Sequence, residues 1–192
     1  MHRNFILFRI IFLLMLIFPF FAGSEVKAEQ RAVIKDLTAT TSDTHLIVFG
    51  TLENSFTSEM IETLHSGITL RFSFFVELYK TTEKWPDELI VENNFQHVMT
   101  FDTLKETYKV TLEEDNNREL SFRSLFEAQK VINEINGAKV EELNGLIPDN
   151  QYKLRMRAEL FQKTLPLSLH SIFPFLSWWD IETAWHTISF TY

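Results

Sequence analysis

Histidines, acids and paired arginines are the side chains here that could do chemistry, because the 192-residue chain has no cysteine. Disulfides, thiolate metal sites, cysteine nucleophiles and lipid attachment through a cysteine are therefore excluded. Of the histidines, His2 lies at the extreme N-terminus, and His45, His65, His97, His170 and His186 are scattered. None stands in a His-Glu-x-x-His pattern or at a paired spacing that would suit zinc. His65 follows Glu62 by three residues on a predicted helix. It would ligate a metal only if other ligands converged, and a polar helix end beside Gly67 is the simpler reading. His97 falls in a predicted strand and His186 just before one, so both are expected at the surface or the rim. No metal site and no cofactor are expected.

The acids are numerous, so proximity alone says little. Glu113-Glu114-Asp115-Asn116-Asn117 reads as a turn, and it lacks the glycine and terminal glutamate of a calcium loop. Glu141 and Glu142 read as solvated. Asp180 and Glu182, flanked by tryptophans, are the one acidic pair beside an apolar stretch, and an acid–base role there has no further support. Gly-x-Ser-x-Gly is absent. Beyond the first 28 residues the glycines are Gly50, Gly67, Gly137 and Gly145, too dispersed for a phosphate-cradling loop. The chain is expected not to be an enzyme. An acid–base hydrolase of an envelope polymer is the remaining catalytic alternative.

Two features suit binding. Arg155 and Arg157 share the polar side of a predicted strand, about 7 Å apart, and could clamp a carboxylate or phosphate. Cross-strand pairing with the many acids is the competing reading. Residues 165–185 hold Phe173, Phe175, Trp178, Trp179 and Trp185, with Pro166 and Pro174 opposing a regular helix or central strand. Such an apolar connection either caps the core or meets a partner, and tryptophan suits the second role. These seven residues, Arg155, Arg157 and the five aromatics, are the candidate ligand- or partner-binding set.

Strict alternation supplies the elements that must position them. Ile68, Leu70, Phe72, Phe74, Val76 and Leu78 point one way along one strand. Tyr152, Leu154, Met156, Ala158 and Leu160 do so along another, opposite Lys153, Arg155 and Arg157. Residues 107–112, 95–101 and the C-terminal Ile188-Phe190-Tyr192 alternate likewise. Val33–Thr41 and His45–Glu53 are predicted to pair across Ser42-Asp43. Helices are predicted at Ser58–Ser66, stopped by Gly67, and at Phe122–Asn136, stopped by Gly137, with Ser124 and Glu127 as a capping box. The expected fold is mainly β, an antiparallel, immunoglobulin-like β-sandwich of seven to nine strands with two short helical insertions.

The N-terminus differs from this body. Arg3 and Arg9 precede an apolar run from Ile10 to Phe21, and Val26 and Ala28 supply the small residues a signal peptidase reads. Residues 1–28 are predicted to be a cleaved signal peptide and residues 29–192 a single domain. An uncleaved membrane anchor is the alternative, although the run is shorter than the roughly 20 residues that span a bilayer. Cleavage would remove Arg3, Arg9, Lys27 and Glu25, changing the formal charge from -8 to -10. That acidity excludes a nucleic-acid binder and disfavours anionic lipid. Membrane contact is expected only through an uncleaved signal or the aromatic segment.

Several strings occur in a telling order: Glu62-Thr-Leu-His-Ser-Gly-Ile-Thr-Leu-Arg-Phe, Met99-Thr-Phe-Asp-Thr-Leu-Lys-Glu-Thr-Tyr-Lys-Val, Ser121-Phe-Arg-Ser-Leu-Phe-Glu-Ala, Tyr152-Lys-Leu-Arg-Met-Arg-Ala-Glu-Leu and Leu165-Pro-Leu-Ser-Leu, followed by Trp178 and Trp185. With them the chain resembles the bacterial exported family called domain of unknown function 4390, over about residues 33–192. Lys84 before Trp85 departs from the arginine common in that family. The resemblance implies a periplasmic protein of Gram-negative bacteria, with genes often beside those of a membrane sensor histidine kinase and its response regulator. It implies no catalytic residues. The expected function is a non-catalytic interaction module, modulating the sensor kinase of a two-component system or contacting another envelope protein. The alternative is a periplasmic binder of a small anionic or apolar ligand or a peptide.

Overall fold

The computed structural model describes residues 31–83, 86–160 and 181–192. The predicted signal peptide, Lys84, Trp85, His170, Phe173, Phe175, Trp178, Trp179 and Asp180 lie outside the described residues.

Alternating side chains build two antiparallel sheets. The smaller contains β1 (Val33–Thr41), β2 (His45–Glu53) and β7 (Glu134–Glu142), with β2 in the middle. The larger runs β10 (His186–Thr191), β8 (Gln151–Leu160), β3 (Leu70–Lys80), β4 (Glu88–Asp102), β5 (Thr107–Leu112) and β6 (Arg118–Phe122). A two-residue strand, β9 (Ile181–Glu182), pairs with the end of β8. The predicted pairing of β1 with β2 is present, with Thr41 opposite Leu46.

Two helices interrupt the strands. In α1 (Ser58–His65) the Thr57 side chain accepts the Met60 N–H, and Met60 and Leu64 are buried. Gly67, at φ +86°, ends it: Gly67 N–H donates to Leu64 O and Ile68 N–H to Thr63 O. That reversal needs a left-handed residue, which glycine supplies without a Cβ penalty. In α2 (Leu125–Asn133) the Ser124 hydroxyl accepts the Glu127 N–H at 3.4 Å.

The second helix is shorter than its periodicity predicts. Phe122 belongs to β6, and from Glu134 the chain pairs with β2, Thr51 facing Glu134 and Gly50 facing Ile135. Ile135 satisfies both the helical spacing and the inward face of a strand, and the sheet ladder prevails. Gly137, at φ +78°, is therefore within β7 and not at a helix end. Strand β4 also starts earlier than the predicted 95–101.

One hydrophobic cluster joins the elements. Ile34, Val48 and Ala138 come from the smaller sheet, Phe74, Val110 and Met156 from the larger, and Ala128 and Ile132 from α2. The helix α2 touches β4, β5 and β6 as well as β2 and β7. Burying such side chains removes apolar surface from water at about 25 cal/mol per Å². Among the described residues, no helix is long and apolar enough to cross a membrane.

Candidate functional site

The polar side of β8 carries the two predicted arginines, and the sheet register decides what they meet. Arg155 lies opposite Glu77 of β3 and Thr187 of β10; Arg157 lies opposite Phe75. Because His186 faces Met156, Trp185 arrives beside Arg157. The result is a stack across the outer face of the larger sheet. The Arg155 guanidinium carbon lies 5.0 Å from the Tyr79 ring centre and 4.5 Å from that of Trp185. The Arg157 carbon lies 5.1 Å from the Trp185 ring and 4.5 Å from that of Phe75. The sequence Tyr79, Arg155, Trp185, Arg157, Phe75 thus alternates cation and ring, each contact worth about 0.5–1 kcal/mol at a partly exposed site.

Carboxylates fix both guanidiniums. Arg155 Nε donates to Glu77 Oε2 at 2.5 Å, and its terminal nitrogen donates to the Tyr79 hydroxyl at 2.9 Å. Tyr79 in turn donates to the same Glu77 oxygen. Arg157 donates to Glu159 and, at 2.7 Å, to Glu182. One row along, Lys153 Nζ reaches Asp87 Oδ2 at 2.6 Å. Cross-strand ion pairing, the competing reading of the arginines, is thus what the described residues show.

Burial alone would raise the Glu77 carboxyl, but hydrogen bonds from Arg155 and Tyr79, with the charges of Arg155 and Arg157, outweigh it and hold the group below its ordinary value. Its hydrogen bond to Glu77 raises the Tyr79 phenol, helped by burial. The Glu77 hydrogen bond likewise raises Arg155. Chemically, the array is a partly exposed surface of aromatic faces and paired charges. Arg157 Nε is buried without a hydrogen-bond partner among the described residues.

Trp185 therefore lies with Arg155 and Arg157 on one face. The other four aromatics of that set lie outside the described residues. Tyr79, Phe75 and Glu77 were not singled out by sequence reasoning. Their odd positions in β3 placed them on the polar face, but only the register with β8 shows which arginine each meets.

His97 differs from the expectation of a surface or rim residue. It is fully buried on the core face of β4, between Phe95 and Met99 in the period of two. Its Nδ1 donates to the carbonyl of Ile132 at 2.6 Å, and its Nε2 is 2.8 Å from Glu114 Oε1. The parity of Phe95 and Met99 was the signal that could have placed it inside. His65, at the end of α1, meets the Tyr108 hydroxyl at 2.7 Å and the Phe101 ring at 4.9 Å.

A separate open cleft of about 570 Å³ lies between the end of β2 and α2, lined in part by Phe56, Phe126, Gln129 and Asn133. None of the stacked residues borders it. Among the described residues, no group of three or more His, Asp or Glu side chains could hold a metal ion.

The fold and face define a mainly β protein of two antiparallel sheets with an arginine–aromatic surface. The family model of the domain of unknown function (DUF4390) matches residues 29–189, and the chain belongs to that family. No curated protein and no solved structure matches the chain.

Proposed function

We propose that the protein is a non-catalytic interaction module of the bacterial cell envelope, whose two sheets stack as a β-sandwich and whose larger sheet offers its outer face to a partner protein. The observation that carries this reading is the stack of Tyr79, Arg155, Trp185, Arg157 and Phe75, held in place by Glu77 and Glu182. Aromatic and arginine side chains fixed before binding lose little entropy on association and dominate protein interfaces. A small anion is a poorer fit, because each guanidinium already holds a carboxylate that the ligand would have to displace. Export through residues 1–28 and a membrane sensor kinase as the partner are part of the same proposal, and they rest on the sequence and on the family resemblance.

The test is affinity capture from solubilised envelope with the exported chain and with Trp185→Ala, both checked by circular dichroism. A membrane protein recovered with the native chain and lost with the variant supports the reading. Equal recovery by both, or nothing above the background of an unrelated exported protein, overturns it.

A further inference from the structure

Strand β4 is 15 residues long, but β5 pairs only with His97–Asp102 of it. Strand β3 pairs with its other side from Glu88 to Met99. Residues 88–96 therefore have β3 on one side and, among the described residues, no strand on the other. The backbone direction follows from one hydrogen bond. Gln96 O accepts the Glu113 N–H at 3.0 Å, on the side away from β3. In an antiparallel strand every second residue points its N–H and C=O the same way, so Asn94 and Glu92 also present theirs to the open side. The Asn94 N–H is already taken by the Asn93 side chain at 2.8 Å, which also donates to Lys139 O of β7 at 3.3 Å. Asn93 therefore closes the edge at one end and, among the described residues, leaves Glu88–Glu92 open.

We propose that this open edge accepts an extended segment of a partner protein as an added strand, with apolar and basic residues in alternation. The inference rests on the reading of the chain as an interaction module. An unpaired strand edge is a template for such addition. The side chains along it set the pattern. Val91 faces Leu78 on the core side, and an added strand would lay an apolar residue beside it. Glu92 faces the outer side opposite Glu77, is exposed, and has no cation partner among the described residues; Glu113, at the junction with β5, is exposed in the same condition. Leu89 is 48% exposed on the same edge. Glu88, by contrast, is already paired with Lys80 at 2.6 Å. A second copy of this chain fits poorly, because antiparallel self-pairing would bring two Glu92 carboxylates together. The edge borders β3, so the added strand would continue the face that carries Tyr79 and Phe75.

The test uses amide hydrogen exchange on the full chain, with a blocked six-residue peptide of alternating lysine and valine as probe and a glutamate–valine peptide as its counterpart. The expected result is exchange at residues 88–92 slowed at least about tenfold by the lysine peptide and unchanged by the glutamate peptide. Glu92→Pro, which removes an outward N–H and leaves the β3 ladder intact, should abolish the effect. Glu92→Lys, which keeps the edge, should transfer it to the glutamate peptide. No slowing by the lysine peptide, or equal slowing by both, overturns the proposal. Slowing that rises with protein concentration without peptide overturns it in favour of self-association. If envelope capture still depends on Trp185 while residues 88–92 show no protection, the edge fails and the interaction module stands. If capture fails as well, both fall.

Discussion

His97 and Glu114 meet at 2.8 Å inside the molecule, with side-chain exposures of 0% and 7%. A carbonyl can only accept, so the Ile132 contact requires a proton on Nδ1, and a second proton must lie between Nε2 and the carboxylate. The second Glu114 oxygen is buried with no partner among the described residues. His97→Leu should therefore destabilise the fold by about 3–5 kcal/mol, since it strands a buried carboxylate. The double variant with Glu114→Leu should cost less than the sum of the two single changes. Urea unfolding of all four proteins checks this, and additive costs would refute the coupling.

A second expectation concerns acid. The Glu77 carboxyl is depressed in the folded state, so its contribution to stability is present above the unfolded value, about 4.3, and is lost as pH falls through the lower folded value. Glu77→Gln should lose about 1–3 kcal/mol at neutral pH and show a shallower decline below about pH 4. Thermal melts of both proteins from pH 7 to pH 2 measure it. Parallel curves would show that the carboxylate does not couple to folding.

Truncating the ring shared by both arginines should cost stability. Trp185→Ala should lower stability by about 1–3 kcal/mol through lost burial and cation–ring contacts. Trp185→Phe should recover most of that. Denaturant midpoints at fixed slope give the comparison; a midpoint for Trp185→Phe as low as that of Trp185→Ala would refute the ring's role.

The return of the chain at β9 depends on one hydroxyl. Thr183 is buried; its N–H donates to Ala158 O and its hydroxyl accepts the Ala158 N–H, both at 2.9 Å. Thr183→Val keeps the shape and removes the acceptor, leaving a buried backbone N–H unpaired, and should cost about 1–3 kcal/mol. Faster amide exchange at Ala158 is the local signature, and unchanged protection there would contradict it.

Strands with uninterrupted alternation were legible from residues alone: β2, β5 and β8 begin and end as predicted, because a period of two admits one burial pattern. Strand β7 was not. Its inward residues Ile135, Ala138 and Val140 change parity at the bulge near Gly137, and Ile135 continues the helical spacing of α2. Arg155 and Arg157 were visible as neighbours on a polar face. Their meeting with Trp185 was not, because it depends on the register between β8 and β10, which long-range pairing sets.

Leu160 and Ile181 are cross-strand partners. Their backbones are thus about 5 Å apart, and the twenty residues between them start and finish at a single point of the sheet. Closing that span is the work of the β8–β9 ladder whatever the residues between do. The short ladder therefore does two jobs at once: it holds both ends of that stretch at one place, and it returns the chain where β10 can begin and Trp185 can lie over Arg155 and Arg157.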